Sequence, residues 1–190
     1  MSILKTRFLI LIISCFAFTS CTHTLLLQVK KYNYSDLPQI IPDQFNNTKR
    51  YKTTLGIYDV ELTGILVVKA ESSENILVSF VNEFGIKYFD ARITNSNPSM
   101  LFCVKQLKKK IVTNVLLHNM ALLFLPSAQH ISEKHIRLGG FEYRYKRNKD
   151  SMKVVEFRNN NQISELNVFS SGNIEVLHTK PKMSLFLKPI

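Results

Sequence analysis

The residue types that most often catalyse reactions or bind metals are few in this chain and follow no known catalytic spacing. The 190 residues include five His and three Cys. His130 and His135 lie five residues apart and do not form the His-Glu-x-x-His pattern of zinc proteases. No Gly-x-Ser-x-Gly nucleophile elbow occurs, and Cys103 has no cysteine at metal-binding spacing. We therefore expect a protein that is not an enzyme and that needs no metal or cofactor.

The other histidines give no stronger indication of catalysis. His118 lies in an apolar stretch, where a histidine is more often a core side chain than a base. His23 and His178 have no evident partners in the sequence. An envelope hydrolase stays an alternative, and a folded structure that clusters a His with a carboxylate and a Ser or Thr would favour it.

Cys21 carries the clearest chemical signal, that of a bacterial lipoprotein. Lys5 and Arg7 precede an apolar run over residues 8–18, which is too short to span a bilayer and fits a secretory signal. Thr19 and Ser20 place small residues before Cys21, as in a lipobox, where the cysteine is lipidated and becomes the mature N-terminus. Cys15 is an alternative attachment site, and an ordinary signal peptide or membrane anchor is another interpretation.

The domain prediction follows from this N-terminus. Residues 1–20 form the signal peptide, and residues 21–50 form a lipidated N-terminus and tether, in which Pro38 and Pro42 break regular structure. Residues 51–190 form a single domain. No acidic residue directly follows Cys21, which favours the periplasmic face of the bacterial outer membrane as the location.

The chain is basic, with a net charge of +11 that falls to +9 when residues 1–20 are removed. A basic protein attracts polyanions. Because export argues against nucleic acid, we expect contact with anionic lipid head groups. Two groups are candidates: Lys105, Lys108, Lys109 and Lys110, and Arg144, Lys146, Arg147 and Lys149.

Alternating apolar and polar residues predict that the domain is mainly β. One strand is expected through Tyr58, Val60 and Leu62, with a bend or bulge at Gly64. Residues 107–125 contain no Gly or Pro and predict one largely buried helix. Short turns between the remaining strands indicate antiparallel hairpins. The fold class is therefore α+β, mainly β: a curved antiparallel half-barrel of about nine strands, with one long helix on its concave face.

Two segments resemble a known family. Residues 62–68 (LTGILVV) and 80–90 (FVNEFGIKYFD) are similar to segments of the LolA/LolB superfamily of lipoprotein carriers, and in particular to uncharacterised LolB-like lipoproteins of Bacteroidota. The resemblance implies a half-barrel whose cavity binds acyl chains. It also implies an exposed apolar side chain in a loop between early strands, a role that Phe84 would take by contacting the membrane or a partner.

The alternation on the C-terminal strands predicts the cavity lining. The expected face consists of Phe141, Tyr143, Tyr145, Val155, Phe157, Leu166 and Val168. An ordinary packed core is the alternative for each of them.

The sequence thus predicts an outer-membrane lipoprotein that binds acyl chains of a lipid or lipoprotein and helps deliver them to the outer membrane. Expected partners are those acyl chains, the membrane through Cys21, and a periplasmic carrier or envelope protein. The alternative function is a scaffold lipoprotein whose packed domain binds a partner protein or glycan.

Overall fold

The computed structural model describes residue 40 and residues 48–72, 74–125 and 135–190, which form eleven antiparallel strands and one α-helix. The first five strands are β1 (Lys49–Ile57), β2 (Val60–Ser72), β3 (Asn75–Val81), β4 (Lys87–Thr94) and β5 (Ser99–Cys103). Helix α1 (Lys110–Phe124) follows. The last six are β6 (His135–Leu138), β7 (Phe141–Arg147), β8 (Ser151–Arg158), β9 (Asn161–Phe169), β10 (Ile174–His178) and β11 (Met183–Pro189). The prediction of a mainly β, antiparallel domain with one long helix is confirmed.

All eleven strands belong to one open sheet in the order β5-β4-β3-β2-β1-β11-β10-β9-β8-β7-β6. Strands adjacent in the sequence pair as hairpins on either side, and β1 joins the two halves by pairing with β11. The first and last strands in the chain, β1 and β11, therefore lie at the centre of the sheet. In the described part of the chain, β5 and β6 form the two edges.

One face of the sheet is apolar and buried, as the two-residue period of a strand requires. On β3, for example, Ile76, Val78 and Phe80 are buried while the residues between them are partly exposed. The buried face continues through β7, where Phe141, Tyr143 and Tyr145 point inward.

Helix α1 covers this face. It was predicted over residues 107–125, and it begins at Lys110 after a short 3-10 turn (Lys105–Leu107). Its ring contacts reach both halves of the sheet: Phe124 lies 5.8 Å from Tyr51 of β1, and His118 lies 5.8 Å from Phe141 of β7, between ring centroids. Among the described residues, no helix has the length and apolarity that a membrane span requires.

The strand predicted through Tyr58 and Gly64 is wrong in its details. The chain turns at Tyr58, whose φ is +53°, so the segment forms two strands instead of one. Gly64 does not form a bulge, because it pairs with Thr53 in a regular ladder. A Cβ on Gly64 would lie only 2.0 Å from the carbonyl oxygen of Val81, so close backbone approach explains this glycine.

The strand count of about nine is also low. The sheet has eleven strands, and the short edge strands β5 and β6 were not predicted. The sheet begins at Lys49, within the segment assigned to the tether, and Ile40 of that segment is buried.

Candidate functional site

A partly enclosed cavity of about 410 Å³ lies between the start of α1 and strands β8, β9 and β10. Its volume falls within the usual range of small-molecule sites. Ile111 and Val115 of the helix and Ile163 of β9 give it an apolar wall. Its polar residues fall into two groups, one deep in the cavity and one at its mouth.

The floor of the cavity contains a buried carboxylate, that of Glu156 on β8, which is only 2% exposed. Its Oε1 lies 3.0 Å from Nε2 of His118 on α1. Its Oε2 accepts a hydrogen bond of 2.7 Å from the hydroxyl of Ser164 on β9. Three separate elements thus meet at one buried carboxylate.

The electrostatics of the floor keep this carboxylate ionised. Burial by itself would raise the pKa of Glu156, but the nearby His118 imidazole and the hydrogen bond from the Ser164 hydroxyl lower it below its ordinary value. The compensation by hydrogen-bonding partners is the condition under which a protein interior tolerates a charge.

His178 of β10 is the second histidine of the floor, and it is neutral at pH 7. Burial lowers its pKa to about 4, against the opposing effect of the Glu156 carboxylate. Its Nε2 lies 2.9 Å from Oδ1 of Asn119. Because the amide oxygen accepts, Nε2 must carry the proton, and Nδ1 is left as an acceptor.

The mouth of the cavity is rich in hydrogen-bond donors. Arg158 follows Glu156 on the same face of β8, and its guanidinium lies 5.4 Å from the centroid of the Phe141 ring. Lys180, in the turn after β10, also lines the mouth. The mouth of the cavity is therefore positively charged, through Arg158 and Lys180, and its floor contains the Glu156 carboxylate.

This arrangement differs from a nucleophilic triad, although it brings a Ser, a carboxylate and two His together. In a triad the histidine takes a proton from the serine. Here the Ser164 hydroxyl donates to Glu156, and Ser164 is not among the residues that line the cavity. The described residues also contain no group of three or more His, Cys, Asp or Glu side chains placed to hold a metal. These side chains give the floor of the cavity hydrogen-bond acceptors.

The predicted cavity face is divided between the two sides of the sheet. Phe141, Tyr143, Tyr145 and Leu166 are buried on the inner face, and Val168 packs against the same core. Val155 and Phe157 point to the opposite face, because Glu156 between them points inward. Phe157 is covered there by Arg144, whose guanidinium lies 4.2 Å from the ring centroid.

None of these seven residues lines the 410 Å³ cavity. A second, shallower depression of about 460 Å³ near the β6–β7 turn is lined by Phe141 and Phe157 together with polar residues. Among the residues of the main cavity that the sequence did not indicate are Glu156, Arg158, Ile163 and Lys180. Ser164, which holds the Glu156 carboxylate, was not indicated either.

Phe84 lies where the sequence predicts, at the tip of the β3–β4 hairpin, and is 81% exposed. Asn82 shapes this tip by accepting hydrogen bonds from the backbone N–H groups of Phe84 and Ile86 through its side-chain oxygen. Ile86 is exposed beside it. The tip therefore presents two apolar side chains to solvent.

Lysines surround this end of the sheet, which we call the lysine-rich end. The backbone N–H of Val104 donates to the carbonyl of Tyr88, which brings the chain leading to α1 beside β4, and Lys109 lies 5.0 Å from the Tyr58 ring centroid. The exposed lysines at this end are Lys87, Lys105, Lys108, Lys109, Lys110, Lys180 and Lys182. The mouth of the cavity opens at the same end.

The second predicted basic group does not lie at the lysine-rich end. Arg144 also donates a hydrogen bond to Glu142. Lys146, Arg147 and Lys149 lead to the β7–β8 turn at the opposite end of the sheet. Cys21, Cys15, His23 and His130 lie outside the described residues.

No protein-family model matches the chain, and no curated protein gives a significant match. The resemblance to the LolA/LolB superfamily therefore depends on the two short segments quoted above. A proposal about function must accordingly be built on the cavity and on the surface around its mouth.

Proposed function

We propose that this protein is a lipid-anchored envelope protein that binds an amphiphile in the cavity between α1 and β8–β10 and passes it to a membrane. The observation that carries the proposal is the cavity itself, with its apolar wall and polar floor. Lipid attachment at Cys21 would hold the protein at the periplasmic face of the outer membrane. No covalent chemistry is needed.

The contacts of α1 support a curved sheet, the half-barrel of the carrier hypothesis. The helix contacts β4 and, through His118, also β7. Eight strand spacings separate these strands in the sheet order, or about 38 Å if the sheet were flat. A helix of 15 residues is only about 22 Å long. Contact with both strands is therefore easier to explain if the sheet curves around the helix.

Transfer in this proposal depends on a balance of apolar burial. Each buried methylene stabilises a bound chain by about 0.8 kcal/mol, so release needs a membrane that buries the chain at least as well. The lysine-rich end would dock on anionic head groups, which brings the mouth of the cavity close to the lipid surface.

Filling the cavity should weaken ligand binding strongly. We expect Ile163→Trp to weaken binding of a fluorescent fatty acyl probe by tenfold or more, because the indole occupies space against the apolar wall. The measurement is a fluorescence titration with the chain from residue 21 onward, carrying Cys21→Ser so that no lipid is attached. Leu177→Trp is the matched control, since Leu177 is exposed on the outer face of β10.

Mass spectrometry of lipids extracted from the natively purified protein completes this test. An acyl lipid bound near one to one supports the proposal. A protein that is empty and also fails to bind the probe would refute it and favour the scaffold function. The exposed Leu101 and Phe102 on edge strand β5 would then be the first surface to examine for a partner.

The hairpin tip should control delivery to the membrane without contributing to the fold. Because Phe84 is solvent-exposed, Phe84→Glu should change the free energy of unfolding by less than about 0.5 kcal/mol. We expect it to reduce co-flotation with anionic liposomes several-fold. Phe169→Glu is the control, because Phe169 is an exposed aromatic at the opposite end of the sheet. Equal loss with both variants would contradict a specific role for the tip.

A further inference from the structure

The cavity contains a guanidinium of which one buried nitrogen lacks an acceptor. Nη1 of Arg158 is buried, and the described residues offer it no hydrogen-bond partner. A buried donor without an acceptor costs free energy, more so when it is charged. Arg158 and Lys180 both line the cavity. The two groups together fit an anion such as a phosphate.

The floor presents the opposite chemistry. Glu156 supplies a carboxylate, and His178 supplies an Nδ1 acceptor, because its Nε2 faces the Asn119 oxygen. Glu156 and Arg158 are two residues apart on β8, so their Cα atoms lie about 7 Å apart on one face. An acceptor site and an anion site are thus separated by a few ångströms in one cavity.

We propose that this cavity recognises a zwitterionic lipid head group with a primary ammonium and a phosphate, joined by a short linker. The ammonium donates hydrogen bonds to Glu156 and His178, and the phosphate accepts from Arg158 and Lys180. The attached chain leaves along the apolar wall formed by Ile111, Val115 and Ile163. The inference depends on the proposed amphiphile-binding function and names its ligand class.

Two simpler ligands fit the site less well. A fatty acid would satisfy Arg158, but it would give the floor acceptors no additional donor and would place a second negative charge near Glu156. A long-chain amine would satisfy the floor but leave the buried Nη1 of Arg158 without an acceptor. A quaternary ammonium has no N–H and cannot donate to Glu156 at all.

The experiment compares probes that differ only in the head group. Lysophosphatidylethanolamine, lysophosphatidylcholine and lysophosphatidic acid, each with a dodecanoyl chain and below its micelle concentration, are titrated by calorimetry into the chain from residue 21 onward with Cys21→Ser. We expect the ethanolamine lipid to bind at least tenfold more tightly than the choline lipid, because only its ammonium can donate hydrogen bonds.

Two variants assign this preference to the floor and the mouth. Glu156→Gln, which keeps the shape and one acceptor oxygen, should reduce the preference for ethanolamine over choline to less than threefold. Arg158→Gln should weaken both lipids about equally, because both carry the phosphate. Lys182→Gln is the control for Arg158→Gln. It also removes one positive charge at the lysine-rich end, but Lys182 does not line the cavity. Circular dichroism confirms that each variant is folded, and Arg158→Gln tests the phosphate site even if Glu156→Gln does not fold.

Each outcome has a distinct meaning. Equal binding of the ethanolamine and choline lipids by the unmodified cavity overturns the head-group inference and leaves the amphiphile-binding function intact. If lysophosphatidic acid binds most tightly, the head-group inference is also overturned. That lipid has no ammonium, so the floor would not be binding one. If none of the three lipids binds and the fatty acyl probe also fails, the proposed function itself is refuted.

Discussion

Replacing Glu156 with Ala is expected to lower the free energy of unfolding by about 1–3 kcal/mol for each buried polar group that it leaves without an acceptor. The substitution takes the carboxylate from His118, 3.0 Å away, and removes the acceptor of the buried Ser164 hydroxyl. It also leaves a void in the floor of the cavity. Urea unfolding monitored by circular dichroism at pH 7 measures the change.

The control for this prediction is a glutamate on the neighbouring strand. Glu165 of β9 forms an ion pair of 2.7 Å with Lys153 and is partly exposed. Surface pairs contribute about 0–1 kcal/mol, so Glu165→Ala should have a small effect. If Glu156→Ala were as mild as Glu165→Ala, the buried cluster would not contribute to stability as the geometry implies.

A double-mutant cycle separates the Glu156–His118 interaction from the loss of packing. The Ala variants of Glu156 and His118, alone and combined, should show a coupling energy of about 1–3 kcal/mol, as expected for contacting residues in one hydrogen-bond network. Additive effects would mean that the two side chains stabilise the fold independently.

The inward direction of Glu156 is also the reason why the sequence could not predict the cavity. In the run Val154, Val155, Glu156, Phe157, an alternating strand is expected to place the glutamate outside and its apolar neighbours inside. The structure places Val154 and Glu156 inside, because His118 and Ser164 supply partners from α1 and β9. Those partners lie 38 and 8 residues away in the sequence, so local pattern cannot indicate them.

The general fold was more predictable because its signals are local. The turns at Gly85, Asn159–Asn160 and Gly172 use residues that adopt positive φ readily, and each was predicted. The turn at Tyr58 was missed because a tyrosine with positive φ has no such signature. Strands β5 and β6 have only five and four residues, and each has one neighbour among the described strands, so their sequences carry a weak alternation.

The cavity and the exposed hairpin tip also differ in how well each could be predicted from the sequence. Phe84 could be predicted because it sits beside Gly85 in a short polar turn, where a side chain has little to pack against. The cavity required knowledge of which strands face the start of α1. That depends on pairing between strands far apart in the chain, above all β1 with β11.

Acidification should destabilise the protein between pH 6.5 and pH 4 through His178. Its pKa in the folded state is about 4, whereas an ordinary histidine in the unfolded chain titrates near 6.5. The unfolded chain therefore binds a proton first as the pH falls. The resulting stability is present in full above pH 6.5 and is lost progressively down to pH 4, by about 3 kcal/mol in total. Glu156 faces His178 from β8, and its own pKa lies below its ordinary value, so it titrates later than an ordinary glutamate as the pH falls.

Urea unfolding at half-unit steps from pH 7 to pH 4 measures this loss, and His178→Gln is the comparison that assigns it. The Gln side chain can still donate to Oδ1 of Asn119 but does not titrate. The free energy of unfolding of this variant should fall by about 3 kcal/mol less than that of the unmodified chain over the window, because the contribution of His178 is absent. His118 of α1 is present in both proteins, so any pH dependence that it contributes cancels in the difference. If both lost the same stability between pH 6.5 and pH 4, the proton would bind elsewhere, and His178 would not be the neutral acceptor in the floor of the cavity.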